Sequence, residues 1–393
     1  GNGHPLYDII GSINPLEWAY KLGVQDKHLT EVACSHAADI FTTVSDITAD
    51  EARLLLGRAP DVITYNGMSM ERALTFEETS MRHYHSRAFL HELLAYLFLP
   101  YYSVDIENSL LFFTSGRYEF ANKGMDVIIE SLGRLNALLQ EQEHSPTIFM
   151  FFWVMMGHGG VKKEAVEDRI VHQSIKTAVE WHSRPLLRRI ILDLMSGKGA
   201  SAEKLLHNIK EEVQAPRREG NPPIATHQVD ANDPILELCK KHNLNNHQSD
   251  KVKIILYPGF LDGSDSLLGL QYYDATVGTH LGIFPSQYEP WGYTPLESIM
   301  LGVPAVTTDL AGFGRYVKGL PSNHGVFMLA REHRTHEEIV SDLVTILYNF
   351  TMLERTDRVN HGFAAKTLAQ TCDWSLFISR YLEAYDKALR RHT

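Results

Sequence analysis

Apolar runs with the length of a buried strand alternate along the chain with stretches in which apolar residues recur at helical spacing. The most continuous run, residues 147–156, is typical of a strand buried on both faces and is too short to cross a bilayer. Residues 125–139, just before it, have the spacing of an amphipathic helix. This alternation predicts an α/β fold with a doubly wound parallel sheet.

The alternation is complete in only one part of the chain. Residues 110–345 form a whole Rossmann-like domain in this interpretation, with predicted strands at 110–115, 147–156, 252–256, 281–285, 305–309 and 326–328. Residues 1–70 contain only the predicted strands 41–45 and 61–65, whereas such a domain usually has about five or six strands. We therefore interpret residues 1–70 as the remnant of a second Rossmann-like domain.

Other segments are predicted to be mainly helical. Residues 71–109 form a helical connection, and residues 346–393 contain the C-terminal helices, with a less regular segment before the last one at 376–390. Residues 161–216 interrupt the alternation as a helical insertion. Its apolar stripe fits either a self-association arm or a packed helix pair, and the stripe alone favours packing. The residues of the stripe are Ile175, Val179, Leu186, Leu187, Ile190, Ile191 and Leu194.

Composition and charge narrow the choice of partners. The 393 residues are 44% hydrophobic and 22% charged, which is ordinary for a soluble globular protein. The net charge of −11 offers no basic field for nucleic acid or for acidic membranes. Three widely separated cysteines argue against a disulfide framework or a zinc site, and the first residues lack a signal-peptide pattern. We therefore expect a cytoplasmic protein.

The stretch 284–313 is where we expect the chemistry. It has the pattern of a strand end, a turn rich in glycine and aromatic residues, a short helix and another strand. Thr294 is the predicted N-cap, with Pro295 at the first helical position and Glu297 as the acid of a capping box. A helix start at the carboxyl edge of a parallel sheet is an anion site. Glu289 and Glu297 flank it; alternatively, Glu297 only caps its helix and Glu289 is solvated.

Two cations precede another predicted helix start. Arg117 and Lys123 lie on the loop that leaves the strand 110–115. A guanidinium fork and a mobile ammonium are suited to phosphate oxygens, and together with the helix start near Thr294 they would hold a pyrophosphate from two sides. In the alternative interpretation, both cations pair with Glu119 and the acidic surface. The loop matches neither the P-loop nor the G-x-G-x-x-G pattern.

Aromatic residues and histidines are weaker candidates. Tyr272, Tyr288, Trp291 and Tyr293 gather near the same turn and suit stacking on a base or a sugar, although each taken singly is explained by packing. The histidines of residues 70–100 lack a second ligand at metal-binding spacing, so we expect them on the surface or in packing.

Several segments resemble one family. Glu289 and Glu297 match the E-x7-E motif of retaining GT-B glycosyltransferases. The segment EPWGYTPLE resembles the glycogen synthases of the animal and fungal type, as do GRYEFANKG at 116–124 and PPIATHQ at 222–228. The similarity extends from about residue 30 to Trp374. The resemblance implies a GT-B type fold with a partial N-terminal, acceptor-side domain. It also implies transfer of glucose from UDP-glucose to the non-reducing end of an α-1,4-glucan, without a cofactor or a metal.

The resemblance also assigns roles. Arg117 and Lys123 would neutralise the departing diphosphate, and Glu289 would contact the transferred glucose. Glu297 would contact the ribose hydroxyls, and Tyr272 would stack on uracil. The remaining nucleotide-sugar contacts, several of them through backbone groups, are Phe260, Leu261, Trp291, Gly292, Tyr293 and Thr294. The expected partners are UDP-glucose, an α-glucan acceptor and a second copy of the chain through residues 161–216; a priming protein stays unidentified.

Two departures from the family leave alternatives open. The family has an arginine-rich helix that binds glucose 6-phosphate, whereas residues 353–370 hold only Arg355, Arg358 and Lys366, which argues against that activation. The family's glycine-rich donor loop has no counterpart, so we expect the chain alone to bind nucleotide weakly. The alternatives are a GT-B transferase with another donor or acceptor, and a non-catalytic glucan- or nucleotide-binding scaffold.

Overall fold

The structure is a computed structural model that describes residues 6–72, 74–197, 217–265 and 267–391. The described strands are β1 (Thr42–Thr43), β2 (Val62–Ile63), β3 (Leu110–Arg117), β4 (Ile148–Met155), β5 (Val252–Pro258), β6 (Leu281–Ile283), β7 (Ala305–Thr308) and β8 (Val326–Leu329). The helices before the insertion are α1 (Leu6–Ile9), α2 (Pro15–Lys21), α3 (Gln25–Ala37), α4 (Asp46–Glu51), α5 (Phe76–Phe98) and α6 (Met125–Gln140). The later helices are α7 (Lys163–Met195), α8 (Pro234–Lys241), α9 (Tyr272–Val277), α10 (Tyr293–Met300), α11 (Gly312–Lys318), α12 (His336–Met352), α13 (Arg355–Ala369) and α14 (Trp374–Arg391).

The main sheet has six parallel strands in the order β5-β4-β3-β6-β7-β8. Strand β3 pairs with β4 on one side and with β6 on the other. Because the chain order reverses between β3 and β6, the helices that follow these two strands, α6 and α10, lie on opposite faces of the sheet. In folds of this kind, ligands bind in the space beyond the carboxyl ends of the strands at such a point. We call this space the switch-point crevice.

The sheet is buried on both faces, which confirms the doubly wound α/β prediction. The predicted strand 147–156 is β4, and Phe151 and Phe152 on its two faces are both 0% exposed. Helices α6, α8 and α12 cover one face, and α5, α9 and α10 cover the other. Side chains that point alternately into two apolar layers explain why this strand is apolar without interruption.

The first part of the chain forms a smaller unit, residues 6–65, which we call the N-terminal unit. Its strands β1 and β2 pair in parallel as a separate two-stranded sheet, so both predicted strands are present but short. The last helix, α14, returns to this unit. Lys387 donates a hydrogen bond to the carbonyl oxygen of Asp61 (3.2 Å), and Arg391 contacts the Asp61 carboxylate (2.9 Å).

The expectation of an irregular segment before the last helix is wrong, because residues 355–369 form α13. This helix has mainly polar residues and contains Gly362, so its sequence has a weak helical pattern. A Cβ atom at Gly362 would lie 2.7 Å from the carbonyl oxygen of Gly302, just beyond α10. Close packing of α13 on α10, with Ala365 fully buried, stabilises a helix that the local sequence does not announce.

The insertion begins as the long helix α7, while residues 198–216 of the predicted range lie outside the described residues. Helix α7 packs on α5, where Lys176 and Glu92 form an ion pair (2.6 Å). The expectation that the apolar stripe is packed is only partly right. Ile175, Leu186 and Ile190 are half-buried, whereas the exposed fractions are 46% for Val179, 58% for Leu187, 55% for Ile191 and 65% for Leu194. Across the described residues, no helix combines the length and the apolarity needed to cross a membrane.

Candidate functional site

Two loops meet in the switch-point crevice, one after β3 and one after β6. The backbone N–H of Gln287 donates to the carbonyl oxygen of Asn122 (2.7 Å). Gly124 has a φ of +67°, and a Cβ atom there would lie only 2.3 Å from the carbonyl oxygen of Pro285. Glycine is therefore required at this contact, because both the conformation and the space exclude a side chain.

Lys123 and Glu289 form an ion pair between these two loops. Their side chains are 15% and 18% exposed, and the Ser286 hydroxyl donates a second hydrogen bond to Glu289 Oε1 (3.1 Å). The cation and the acid predicted to serve one site are thus brought together. In this structure the two charges neutralise each other, a pairing that the sequence did not indicate.

Arg117 lies beside this pair but points into solvent. It is the last residue of β3, and its guanidinium contacts the Glu119 carboxylate (2.9 Å) with the arginine side chain 73% exposed. The alternative pairing with Glu119 is therefore present for Arg117 and absent for Lys123. Gly116 lies against the Lys123 side chain, since a Cβ atom there would be 3.5 Å from Lys123 Cε. Arg117 is the next residue in the sequence. An exposed ion pair of this kind contributes little energy and opens easily.

The predicted N-cap at Thr294 and the capping box to Glu297 are wrong. Helix α10 starts at Tyr293, with Gly292 at the cap in a left-handed conformation (φ +99°). The sharp turn at this glycine lets the helix begin earlier, which places Thr294 and Pro295 inside its first turn. A glycine cap has no side-chain acceptor, so the backbone amides of this turn lack a side-chain cap within the described residues.

Glu297 contacts the tyrosines of α9 instead of capping its own helix. The Tyr273 hydroxyl donates to Glu297 Oε1 (3.1 Å). Burial raises the pKa of Glu297 above the ordinary range, and the hydrogen bonds from Tyr273 and Tyr272 oppose that rise. Glu297 and Tyr272, which the resemblance assigns to the ribose and to the base, are therefore close in space.

Tyr272 connects the ends of three strands. Its hydroxyl shares a hydrogen bond with the Ser115 hydroxyl (2.9 Å), and its ring meets Trp153 edge-on with a centroid distance of 6.4 Å. Its backbone N–H donates to the carbonyl oxygen of Leu261 (2.8 Å). Leu261 is nearly buried, whereas the neighbouring Phe260 is 74% exposed at the rim. The predicted base-contacting residues therefore form one continuous wall.

The two aromatic residues of the 289–293 turn differ in position. Trp291 is 2% exposed and packs against Tyr65, Phe313 and Phe377, which corresponds to the packing alternative left open by the sequence. Tyr293 is 42% exposed. Of the two rings, only that of Tyr293 is accessible to a ligand.

Sequence reasoning missed two residues that shape the site. The Ser286 hydroxyl donates to the Glu289 carboxylate. The spacing of three residues between them is the local signal in the sequence for this contact. Arg331 is half-buried just after β8 and donates to the carbonyl oxygen of Pro285. Burial lowers the pKa of this guanidinium. Nothing near Arg331 in the sequence connects it to residue 285, because the contact depends on the strand order.

The histidines of α5 lie in packing contacts or, as His85 does, on the surface. His83 Nδ1 bonds the carbonyl oxygen of Val277 (2.6 Å), and His91 lies 3.5 Å from the Glu107 carboxylate. Within the ranges that the structure describes, no group of three or more histidine, cysteine, aspartate or glutamate side chains is placed to hold a metal ion.

The six-stranded sheet with a crevice at its switch point has known counterparts. The alpha,alpha-trehalose 6-phosphate synthase of Burkholderia multivorans matches it with a TM-score of 0.50 at 9% identity, over 95% of this chain and 64% of that one. The alpha,alpha-trehalose-phosphate synthase (UDP-forming) of Burkholderia vietnamiensis also has a TM-score of 0.50, at 10% identity over 94% and 64% of the two chains. The fold is therefore that of the GT-B class of glycosyltransferases.

Sequence comparison then identifies the family. The family model described as Glycogen synthase matches residues 5–393, and the chain belongs to the glycogen synthase family. The Glycogen [starch] synthase of Neurospora crassa is 36% identical over 96% of this chain and 56% of its own length. Isoform 2 of Saccharomyces cerevisiae is 34% identical over 98% and 58% of the respective chains, and the liver enzyme of Mus musculus is 33% identical over 94% and 53%. The chain thus spans about half the length of these relatives.

Proposed function

We propose that this chain is the donor-side part of a retaining glucosyltransferase that transfers glucose from UDP-glucose to the non-reducing end of an α-1,4-glucan. The observation that carries the proposal is the Lys123–Glu289 pair at the switch point of a GT-B sheet, beside the start of α10. Membership of the glycogen synthase family, and the printed names of the relatives, supply the donor and the acceptor.

The ion pair suggests how the donor binds. A diphosphate that enters the crevice competes with Glu289 for the Lys123 ammonium, and Arg117 turns from its weak surface pair with Glu119 to the same phosphate oxygens. The amides of Gly292, Tyr293 and Thr294 add the positive end of α10. Glu289, released from the lysine, then faces the glucose.

The rest of the nucleotide lies along the adjoining wall. Glu297 accepts hydrogen bonds from the ribose hydroxyls, which suits a carboxyl that already faces the tyrosines of α9. Tyr272 stacks on uracil, while the backbone at Phe260 and Leu261 contacts the edge of the base. Trp291 supports the turn through its packing against Tyr65 and Phe313.

The chemistry proceeds on one face of the sugar. The bond between glucose C1 and the diphosphate oxygen breaks, and a bond from C1 to the acceptor hydroxyl oxygen forms. The departing phosphate takes the hydroxyl proton, so the products are UDP and a glucan longer by one unit, with the configuration retained. Positioned cations stabilise the negative charge that develops on the leaving group. No metal and no further cofactor is part of this proposal.

Binding and transfer together test this function. Titration calorimetry of the chain is expected to show weak binding that is tighter for UDP than for ADP, and label from UDP-glucose is expected to appear in glycogen. Label from ADP-glucose alone would favour a GT-B transferase with another donor. Absence of both UDP binding and label transfer would contradict the proposal.

A non-catalytic role deserves a separate test, because the chain spans only about half the length of its relatives. Glu289→Gln removes the charge of the carboxylate while keeping its shape. If the site is catalytic, this variant retains UDP binding and loses label transfer. Unchanged transfer by the variant would favour a glucan- or nucleotide-binding scaffold.

We further propose that a second copy of the chain covers the outer side of α7, in a cytoplasmic protein that contacts neither nucleic acid nor membrane. Trp181 and Met195 are 80% and 83% exposed on this helix, in addition to the exposed part of its apolar stripe. Apolar surface of this extent commonly marks an interface. Sedimentation is expected to show an oligomer that Trp181→Glu weakens, and a monomeric wild-type chain would contradict it.

A further inference from the structure

One carboxylate joins the N-terminal unit to the loop that carries Glu289. Glu51, the last residue of α4, accepts the Tyr288 hydroxyl at Oε2 (2.8 Å) and the Tyr7 hydroxyl at Oε1 (2.9 Å). The two phenol rings stack with a centroid distance of 6.4 Å. Each oxygen of the carboxylate thus has one phenol donor, and one of those donors is the residue that immediately precedes Glu289.

The surroundings of this carboxylate are built from both parts of the chain. Arg315 of α11 lies over the Tyr7 ring at 5.7 Å and forms ion pairs with Asp50 (3.0 Å) and Glu332 (3.2 Å). Burial raises the pKa of Glu51, while the two phenol hydrogen bonds and the Arg315 charge act against that rise. A half-buried acid in such a setting depends on its donors, because an acceptor left without them is unfavourable.

The backbone on the other side of the same loop is held by the six-stranded domain. The Glu289 N–H donates to the carbonyl oxygen of Leu310 (3.1 Å), and the Gly312 N–H donates to the carbonyl oxygen of Glu289 (3.1 Å). A Cβ atom on Gly312 would lie 2.3 Å from the Pro290 carbonyl oxygen and 2.5 Å from Ser45 Cβ. Ser45 of the N-terminal unit therefore packs against Gly312, close to the Pro290 carbonyl of the loop.

We propose that Glu51 and Tyr288 are positioning residues, whose hydrogen bond couples docking of the N-terminal unit to the placement of the Glu289 carboxylate. When the unit is docked, Tyr288 is held and Glu289 faces the sugar subsite. When the hydrogen bond is lost, the turn is held from one side only. The inference rests on the proposed contact between Glu289 and the transferred glucose.

The chain offers a matched control for this hydrogen bond. Tyr7 and Tyr288 donate to the same carboxylate, yet only Tyr288 is adjacent in sequence to Glu289. If Glu51 only stabilises the junction, Tyr7→Phe and Tyr288→Phe have equal effects on the turn. If the hydrogen bond positions Glu289, only Tyr288→Phe and Glu51→Ala affect it. Glu51→Gln should restore the wild-type behaviour, because its amide oxygen can still accept from Tyr288.

Hydrogen exchange of residues 286–292 tests the coupling without requiring activity. In Tyr288→Phe and Glu51→Ala, the exchange of this segment is expected to rise about threefold to tenfold, the range that corresponds to one intramolecular hydrogen bond. Tyr7→Phe and Glu51→Gln are expected to exchange like the wild type. Unchanged exchange of residues 148–155 in every variant verifies folding. Equal exchange of 286–292 in Tyr7→Phe and Tyr288→Phe would overturn the proposal.

Ligand affinity supplies a readout that a merely structural role would not move. Tyr288→Phe is expected to leave UDP affinity unchanged and to weaken UDP-glucose binding about threefold to tenfold, because only the sugar contact is displaced. Equal weakening of both ligands would overturn the positioning role. A wild-type chain that binds neither ligand would instead refute the proposed function, and the exchange of 286–292 would still decide whether Tyr288 anchors the turn.

Discussion

The six-stranded domain and the N-terminal unit differ in how much apolar surface each buries. In the domain, Leu135 of α6 is 0% exposed. In the N-terminal unit, Leu16, Leu22 and Leu29 are 45%, 53% and 45% exposed. The ion pair of the switch-point crevice is built on the well-buried domain. The N-terminal unit meets the turn of Glu289 at its edge, through Glu51 and Ser45. The Lys123–Glu289 ion pair is therefore placed by packing within the domain. In our proposal, the orientation of the Glu289 carboxylate depends in addition on the contact between Glu51 and Tyr288.

The largest effect is expected from Lys123→Ala, which removes the cation on the domain side of the comparison. Loss of one positioned charge of this kind typically lowers a rate about 10²–10³-fold. Glu289 would also lose the partner that neutralises it. Label transfer from UDP-glucose and UDP titration measure the outcome. Lys163→Ala, which removes a lysine 85% exposed and paired with Glu167, is the control and should match the wild type. A Lys123→Ala variant with wild-type UDP affinity would show that the crevice is not the diphosphate site.

One substitution made in each region measures the burial difference directly. Leu135→Ala is expected to lower the free energy of unfolding by about 2.7–5 kcal/mol, because it leaves a cavity in a closely packed core. Leu22→Ala should change it by less than about 0.5 kcal/mol, since half of that side chain is already in water. Urea unfolding of both variants gives the two values. Similar values would mean that Leu22 is covered in solution, which would weaken the contrast between the regions.

A further effect is expected from pH, and it arises in the domain. His280 is half-buried and accepts the Leu111 N–H at Nδ1 (2.9 Å), and desolvation holds its pKa well below the ordinary range. Burial also lowers the pKa of His83 and of His227 to about 4. Unfolded histidines bind protons near a pH of about 6.5, where these folded ones do not. The free energy of unfolding should therefore decline as the pH falls from about 6.5 towards 4.

The pH effect is tested by urea unfolding at several pH values. The His83→Gln variant should show a shallower decline than the wild type over the same window, because one of the depressed groups has been removed. A stability that is constant between pH 6.5 and pH 4 would contradict the neutral state of these histidines in the folded chain.

Local patterns predicted the elements whose burial is uniform. Strand β4 and helix α6 appear almost where the hydrophobic spacing indicated. The start of α10 was misplaced, since Thr294 and Pro295 look like a cap in isolation while the left-handed turn at Gly292 governs the start of the helix. Helix α13 was missed because its close contact with Gly302 is a tertiary feature.

The structure brings the predicted residues Lys123 and Glu289 together, while their role in binding and transfer stays a prediction. Motif resemblance selected Lys123 and Glu289, but the pairing between them depends on strands β3 and β6 being neighbours. The contact of Glu51 with Tyr288 joins residues 237 positions apart, and no local spacing signals it. Which charged residues meet at a switch point depends on the order of the strands in the sheet. The sequence pattern alone does not determine that order.

A crystal structure of this chain with UDP tests the central claim most directly. We predict that the diphosphate lies in the switch-point crevice, with a phosphate oxygen within hydrogen-bonding distance of Lys123 Nζ and with the Lys123–Glu289 ion pair opened. The Arg117 guanidinium should have left Glu119 for the same diphosphate. UDP bound elsewhere, with the ion pair intact, would contradict the account.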